Sequence, residues 1–165
     1  MQKIIPNLWF DGNTEEAVNF YVSIFKNSRI GKILYYGGAG KETHGHDAGE
    51  VLTIEFEIEG QSYLALNGGP DFKFTEAISF IVNCDNQEEI DYYWYKLIDG
   101  GDPSAQICGW LKDKFGLSWQ IVPTIIATML ADPDASKRDR VMKAFLKMKK
   151  INIAELEKAY NEGDN

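Results

Sequence analysis

Two segments of the chain repeat one pattern. Asn13-Thr-Glu-Glu-Ala-Val-Asn-Phe-Tyr21 and Asn86-Gln-Glu-Glu-Ile-Asp-Tyr-Tyr-Trp94 align at an offset of 73 residues. Each opens with an Asn suited to capping a helix, followed by two carboxylates where the helix dipole favours negative charge. Apolar residues then recur at helical spacing: Ala17, Phe20, Tyr21, Ile24 and Phe25 in one copy, Ile90, Tyr93, Trp94, Leu97 and Ile98 in the other. A duplication of this kind commits the chain to two similar modules, each burying one face of its helix.

Strand-like runs surround both helices. Residues 4–10 and 77–83 precede them. Residues 30–36, 51–58 and 61–66 follow the first, the last two joined by a tight Glu59-Gly60 turn. Residues 107–111 and 117–122 follow the second, around Phe115-Gly116. The two turn glycines align at an offset of 56, so the first half holds a surplus of 17 residues. The glycine-rich stretch Gly37–Gly49 is the obvious surplus and reads as a mobile surface loop. The pattern is β-α-β-β-β twice. It predicts an α+β fold in which paired modules form a cupped mixed sheet, helices outside and a concave face inside. Its parts are a first module over 1–70, a second over 71–125 and a helical extension over 126–165, in one compact domain. In the extension, residues 123–130 form a short helix. Asp132-Pro133 starts the next by placing proline at the first helical position, and Val141, Met142, Phe145 and Met148 share one stripe. Asn152-Ile-Ala-Glu155 starts the last helix and Gly163 ends it.

Charge narrows the function classes. The chain has 165 residues and a formal net charge of −8. Up to Ala131 there are 18 acidic and 9 basic residues; the remainder is nearly balanced. An acidic body disfavours nucleic acid and anionic membranes as partners. No apolar run approaches the roughly 20 residues of a membrane helix. The start, Met1-Gln2-Lys3-Ile4, lacks a secretory pattern. Two cysteines, Cys84 and Cys108, offer no disulfide framework, which fits reduced thiols in a cytoplasmic protein.

Several strings carry a family resemblance: Leu8-Trp-Phe-Asp-Gly-Asn13, Ala65-Leu-Asn-Gly-Gly-Pro70, Gln87-Glu-Glu-Ile-Asp91 and, above all, Cys108-Gly-Trp-Leu-Lys-Asp-Lys-Phe-Gly-Leu-Ser-Trp-Gln-Ile-Val-Pro123. These, with Met148-Lys-Lys-Ile-Asn-Ile153, resemble the PhnB-like family, also labelled 3-demethylubiquinone-9 3-methyltransferase. It lies within the vicinal oxygen chelate superfamily of glyoxalases, bleomycin-resistance proteins and extradiol dioxygenases. The resemblance implies a homodimer whose sheet cup holds a small organic ligand, and in the metalloenzymes a divalent ion bound by His, Glu or Gln.

Position by position, the metal set is thin. Gln120 occupies the last-strand ligand position of the second module, while the first offers Leu64 or Ala65. The second module's first strand begins with Ala77 where relatives carry His, and residues 4–10 contain no His, Asp or Glu. One donor of four does not make a metal site. No cofactor is therefore expected, and the best reading is a metal-free binding protein. The alternative is a metal-dependent lyase, isomerase or dioxygenase. No GxGxxG follows the first strand, so an S-adenosylmethionine site has no support. His44 and His46, beside Asp47 and Glu50, can bind zinc or act as a base; flanking glycines favour a solvated loop, and a lid over the cup stands between the two. Gln120 and Cys108 are the catalytic candidates. Strand alternation puts Ser118, Gln120 and Val122 on one face with Trp119 outward, and Ser79, Ile81 and Asn83 opposite Phe80. Phe10, Tyr63, Asn67, Ser79, Ile81, Trp110, Ser118 and Gln120 are the expected cup lining.

Overall fold

The alternating runs become strands of two mixed sheets, and the duplicated segments become a pair of eleven-residue helices. The computed structural model describes residues 2–162 and divides into two compact units, Met1–Phe74 and Thr75–Asn165. The architecture is α+β: two sheets built by βαβββ-like modules, then C-terminal helices.

In the first unit, β1 (Asn7–Phe10) leads into α1 (Thr14–Ile24), then β2 (Ser28–Tyr35), the short α2 (Lys41–His44), β3 (Val51–Ile58) and β4 (Gln61–Asn67). Strand order is β1-β4-β3-β2, with β1 parallel to β4 and the other pairs antiparallel. α1 presents Ala17, Val18, Tyr21 and Ile24 to the sheet. Tyr21 stacks on Phe56 at 6.4 Å between ring centroids, and Phe56 on Tyr63 at 5.3 Å. Register and pleat place Leu8, Phe10, Ile54, Phe56, Tyr63, Ala65 and Asn67 together on this helix-packed face.

The second unit repeats the scheme with one strand fewer: β5 (Ser79–Cys84), α3 (Gln87–Leu97), a 3₁₀ turn (Pro103–Ala105), β6 (Trp110–Lys112) and β7 (Ser118–Pro123). Strand order is β5-β7-β6, with β5 parallel to β7. The expected strand at 107–111 is cut short. Cys108 (φ 50) and Gly109 (φ 80) adopt left-handed backbone, leaving only an isolated bridge between Ile107 and Trp110 before β6 begins. Gly109 is obligatory, because an added Cβ would lie 2.8 Å from the Ile121 carbonyl oxygen.

The extension holds α4 (Ile125–Leu130), α5 (Ala135–Phe145) and α6 (Ile153–Asn161). α5 starts two residues later than Asp132-Pro133 suggests. Asp134 is its cap, accepting from the Ser136 N–H at 2.9 Å, while Asp132 accepts from the Asp134 N–H and the Tyr160 hydroxyl. Asn86 and Asn152 cap their helices as read, whereas Asn13 makes no side-chain cap. The stop read at Gly163 lies outside the described residues. Val141, Ile151 and Leu156 are fully buried. Between α5 and α6 the chain forms a strap: the Met148 and Lys149 carbonyls accept from the N–H groups of Cys108 and Gly109, both at 2.8 Å. Gln87 on α3 clamps the strap end, donating to the Ile151 carbonyl and accepting from the Ile153 N–H. Lys150 pairs with Asp91 and reaches Tyr95. Deletion of residues 132–165 should therefore lower solubility and melting temperature; an unchanged melting curve would show the extension to be dispensable.

The β6–β7 turn is organised by one buried carboxylate. Asp113 is 2% exposed and accepts from the N–H groups of Phe115 and Leu117 and from the Trp119 indole N–H at 2.8 Å. Asp113→Ala strands those donors and should cost about 2–3 kcal/mol in denaturant unfolding. Hydrogen bonds from Lys150, then Gln87, hold the Asp91 carboxyl below its ordinary range. Its folded pKa is depressed, so this contribution is present above the unfolded value near pH ~4 and is lost as pH falls through the folded one. Half-exposed, the pair is worth at most about 1 kcal/mol. The hydrogen-exchange protection of α6, taken relative to the intrinsic amide rate, should fall below that pH, and Asp91→Asn should show the lower protection already at neutral pH.

Candidate functional site: the two open sheet faces

Each sheet has a helix on one side only, so its other face is open for function. In the second unit the open face carries Ser79, Ile81 and Asn83 from β5, Ser118, Gln120 and Val122 from β7, and Trp110 and Lys112 from β6. Ile81, Gln120 and Trp110 form one row across the strands. The Gln120 amide donates to the Ser79 hydroxyl at 2.8 Å. Ser118 is 1% exposed, on the row Ser79–Ser118–Lys112, where Lys112 forms an ion pair with Glu76. Trp119 packs on the other face, edge-on to Phe80 at 5.3 Å. Gln120, Ser79, Ile81, Trp110 and Ser118 are thus brought together as the sequence suggests.

Phe10, Tyr63 and Asn67 are not among an equivalent set in the first unit. They lie on the helix-packed side. Phe10 is 2% exposed against Phe74, and burial raises the Tyr63 hydroxyl pKa above its ordinary value. Asn67 is a structural tie, accepting from the Gly12 N–H and donating to the Val51 carbonyl. The open face belongs instead to Asn7, Trp9, Ser62, Leu64, Leu66, Thr53, Glu55, Glu57 and Arg29. It frames a hollow of about 430 Å³ that includes Asn7, Arg29, Glu55, Glu57, Ser62 and Leu64. Arg29 pairs with Glu57 at 2.7 Å, while the Glu55 carboxylate has no partner among the described residues. Gly31 lies opposite Glu55 at a bulge in β2; its added Cβ would come 3.2 Å from the Glu55 carbonyl oxygen. Glu55, Arg29 and Trp9 escape a search for polar and aromatic residues by type. The parity set by helix-facing Ile54 and Phe56 is the signal that finds them. A larger hollow of about 850 Å³ runs along α3 and contains no residue of either open face.

One end of the first open face is walled by the inserted segment, which is folded rather than loose. Both histidines stack on the Tyr36 ring at 4.5 Å. Tyr36 donates its hydroxyl to the Asn67 carbonyl and exchanges backbone bonds with Gly49 and Glu50. His44 uses both ring nitrogens, Nδ1 accepting from the His46 N–H and Nε2 facing the Ala39 carbonyl. His46 Nδ1 meets Glu50 at 2.7 Å. A second hollow of about 450 Å³ joins this wall to the open face, including His44, Thr43, Trp9 and Leu66.

The cysteines differ. Cys84 is buried on the helix side, and burial, then Glu89 and Asp85, pushes its thiol up to about 12. Cys108 sits at the left-handed turn before β6, tied to the strap. Both are free thiols.

The divalent ion of metal-dependent relatives does not fit these residues. Leu64 fills the first module's ligand position and Gln120 the second's. Their strand neighbours in register are Asn7 and Ile81. Among the described residues no three His, Cys, Asp or Glu side chains are grouped to hold a metal. His44, with both nitrogens engaged, cannot join His46 on a shared ion. A dinucleotide-type glycine loop for S-adenosylmethionine is equally missing, since β1 passes to α1 through Asp11-Gly12-Asn13. No helix of the described residues is long and apolar enough to cross a membrane.

Close packing supports this face from below. The Trp9 indole donates to the Gly69 carbonyl at 2.8 Å, and Phe72 meets its ring edge-on. A Cβ on Gly68 would lie 2.3 Å from that indole. Gly68→Ala should cost about 1–3 kcal/mol and shift the tryptophan emission; an unperturbed spectrum would contradict this packing.

Comparison with known proteins agrees with the duplicated architecture. The sequence profile of the 3-demethylubiquinone-9 3-methyltransferase family matches residues 2–122. The likeness read in residues 148–153 falls outside that span. The PhnB protein of Bacillus cereus, which carries the same methyltransferase description, is 36% identical, with a TM-score of 0.63 over 74% of this chain and 100% of its own. A Pseudomonas aeruginosa protein shares the fold at 20% identity and a TM-score of 0.56, over 74% of this chain and 98% of its own. No curated protein matches. The chain belongs to the 3-demethylubiquinone-9 3-methyltransferase (PhnB-like) family.

Proposed function

We propose that this protein binds a small neutral or aromatic organic molecule on its open sheet faces without a metal ion, as a cytoplasmic homodimer. The observation that carries the reading is the pair of equivalent last-strand positions. One is Leu64, which cannot ligate; the other is Gln120, whose amide is turned to Ser79. What surrounds them is Trp9, Leu64 and Leu66 on one sheet and Ile81, Trp110 and Val122 on the other. Apolar walls with a few amides and hydroxyls suit neutral ligands. A metal-dependent lyase, isomerase or dioxygenase needs three or four convergent donors, and Gln120 and Glu55 do not supply them. Methyl transfer lacks a cofactor loop, so no step is assigned to it.

Protein purified without added metal should carry no stoichiometric divalent ion, and divalent metals should leave its melting temperature unchanged. A thermal-shift screen of neutral aromatic compounds should yield stabilising ligands whose effect falls at least fivefold in Trp110→Ala and Gln120→Ala. A tightly bound ion released by Gln120→Ala, or ligands indifferent to both substitutions, would overturn the reading. Ile30, Leu34 and Tyr35 of edge strand β2 are 38%, 43% and 57% exposed, which supports a subunit interface there. Sedimentation should give a dimer for the native chain and a monomer for Leu34→Arg.

A further inference from the structure

Gln120 gives the open face of the second unit a hydrogen-bonding group held in place. β7 lies between β5 and β6 and is paired on both sides, so the backbone that carries this side chain is fixed. Its neighbours Trp119 and Ile121 are buried on the helix side, and the pleat turns Gln120 the other way. The amide donates one hydrogen to the Ser79 hydroxyl oxygen at 2.8 Å. A carboxamide carries a second N–H and a carbonyl oxygen, and a hydroxyl that accepts still has its own hydrogen to give. Gln120 Oε1 meets no partner among the described residues and is not buried. Gln120 and Ser79 are both only partly covered. An acceptor and a donor are therefore left over by one hydrogen-bonded pair. Gln120 Oε1 and Ser79 Oγ lie at most about 5 Å apart, because one hydrogen bond and one amide group separate them. A single functional group spans that distance.

The surroundings decide which group. Ile81 and Trp110 flank Gln120 in its row, and Ile81 is 57% exposed, so the body of a ligand meets apolar surface. Lys112, the charged side chain on this face, is already paired with Glu76. A carboxylate finds no free cation here and brings only acceptors, which Oε1 repels. An ammonium finds no free carboxylate. What matches is a neutral group with N–H and C=O side by side on one edge, as in a lactam, a cyclic imide or a primary amide. Accepting from Gln120 also polarises the Ser79 hydroxyl and makes it a better donor.

We propose that the open face of the second unit recognises a lactam-type amide edge, whose N–H donates to Gln120 Oε1 and whose carbonyl accepts from the Ser79 hydroxyl, with an attached aromatic body against Trp110 and Ile81. The assignment rests on the reading of the open faces as a site for neutral ligands and names the chemistry such a ligand carries.

The test is an NMR titration of the full chain with isoindolinone, with its lactone analogue phthalide, which has a ring oxygen in place of the N–H, and with sodium benzoate. Isoindolinone should shift the Gln120 side-chain amide and the backbone amides of Ser79, Ile81 and Trp110. It should bind at least fivefold more tightly than phthalide, and benzoate should leave these signals in place. Gln120→Met, similar in length but without either amide end, should leave the two compounds bound alike. Ser79→Ala should weaken isoindolinone at least fivefold. Melting curves of both variants check that they fold. Equal binding of isoindolinone and phthalide at these residues would keep the open-face reading and overturn amide recognition. A preference for isoindolinone that survives both substitutions would also overturn it, as would tighter binding of benzoate. Silence of every open-face signal toward all three compounds would overturn the proposal together with the reading beneath it.

Discussion

Each sheet of this protein is covered by a helix on one face only, and that constraint decides which residues remain available for function. A pleated strand sends neighbouring side chains to opposite sides. Once Tyr21 of α1 stacks on Phe56, the sides of every other residue in β1, β3 and β4 follow through the register. The same holds in the second unit once Trp119 joins Phe80 beside α3. Gln120 and Leu64 then emerge as counterparts: each lies on the open face of the last strand and pairs in parallel with the first strand of its module. The polar character of one and the inertness of the other are the clearest chemical difference between the two halves.

Much of this was legible in the sequence, because duplicated helical spacing and alternating strands are local patterns. The open face of the second unit was legible too, since Gln120 fixes the parity of β7. In the first unit the turn-glycine alignment leaves Leu64 and Ala65 equally eligible, and the choice between them decides the side of Tyr63 and Asn67. Selecting lining residues by polarity and aromaticity put both on the wrong side. A carboxamide and a phenol in a core are acceptable when packed or hydrogen-bonded, as Asn67 is by Gly12 and Val51. Other features depend on contacts no periodicity encodes. The glycine-rich segment resembles a mobile loop by composition, yet one tyrosine between β2 and the histidines gives it a fixed wall. The strand expected at 107–111 breaks because two successive residues adopt left-handed backbone.

The strings that identify the family turn out to describe architecture. In the longest of them, Asp113 gathers the turn and the Trp119 indole. In Ala65–Pro70, Gly68 leaves room for the Trp9 ring and Gly69 accepts its N–H. In Gln87–Asp91, Gln87 and Asp91 hold the strap. A match through such residues carries the fold securely, because a hairpin or a glycine contact is needed whatever the protein binds. It carries a reaction much less securely: Trp9, Leu66, Trp110, Ser118, Gln120 and Val122 of the open faces lie within those strings, yet a shared fold does not fix a shared reaction. That separation explains how a chain can belong to a family named for a methyltransferase while lacking a glycine loop suited to that cofactor.

The extension beyond residue 122 has a physical reason within the second unit. The first sheet has four strands; the second has three and a 3₁₀ turn where a further strand stands in its counterpart. The backbone before β6 is consequently left with N–H groups that a ladder would normally satisfy. The strap takes up two of them at Cys108 and Gly109, while Ile151 packs against Gly109 at a point where any side chain on that residue would intrude. Attachment to α3 through Gln87 and Lys150 then fixes the strap against the helix that also covers the sheet. The tail is therefore a substitute for missing sheet, and its stability is coupled to that of the β6–β7 hairpin bearing Gln120 and Trp110.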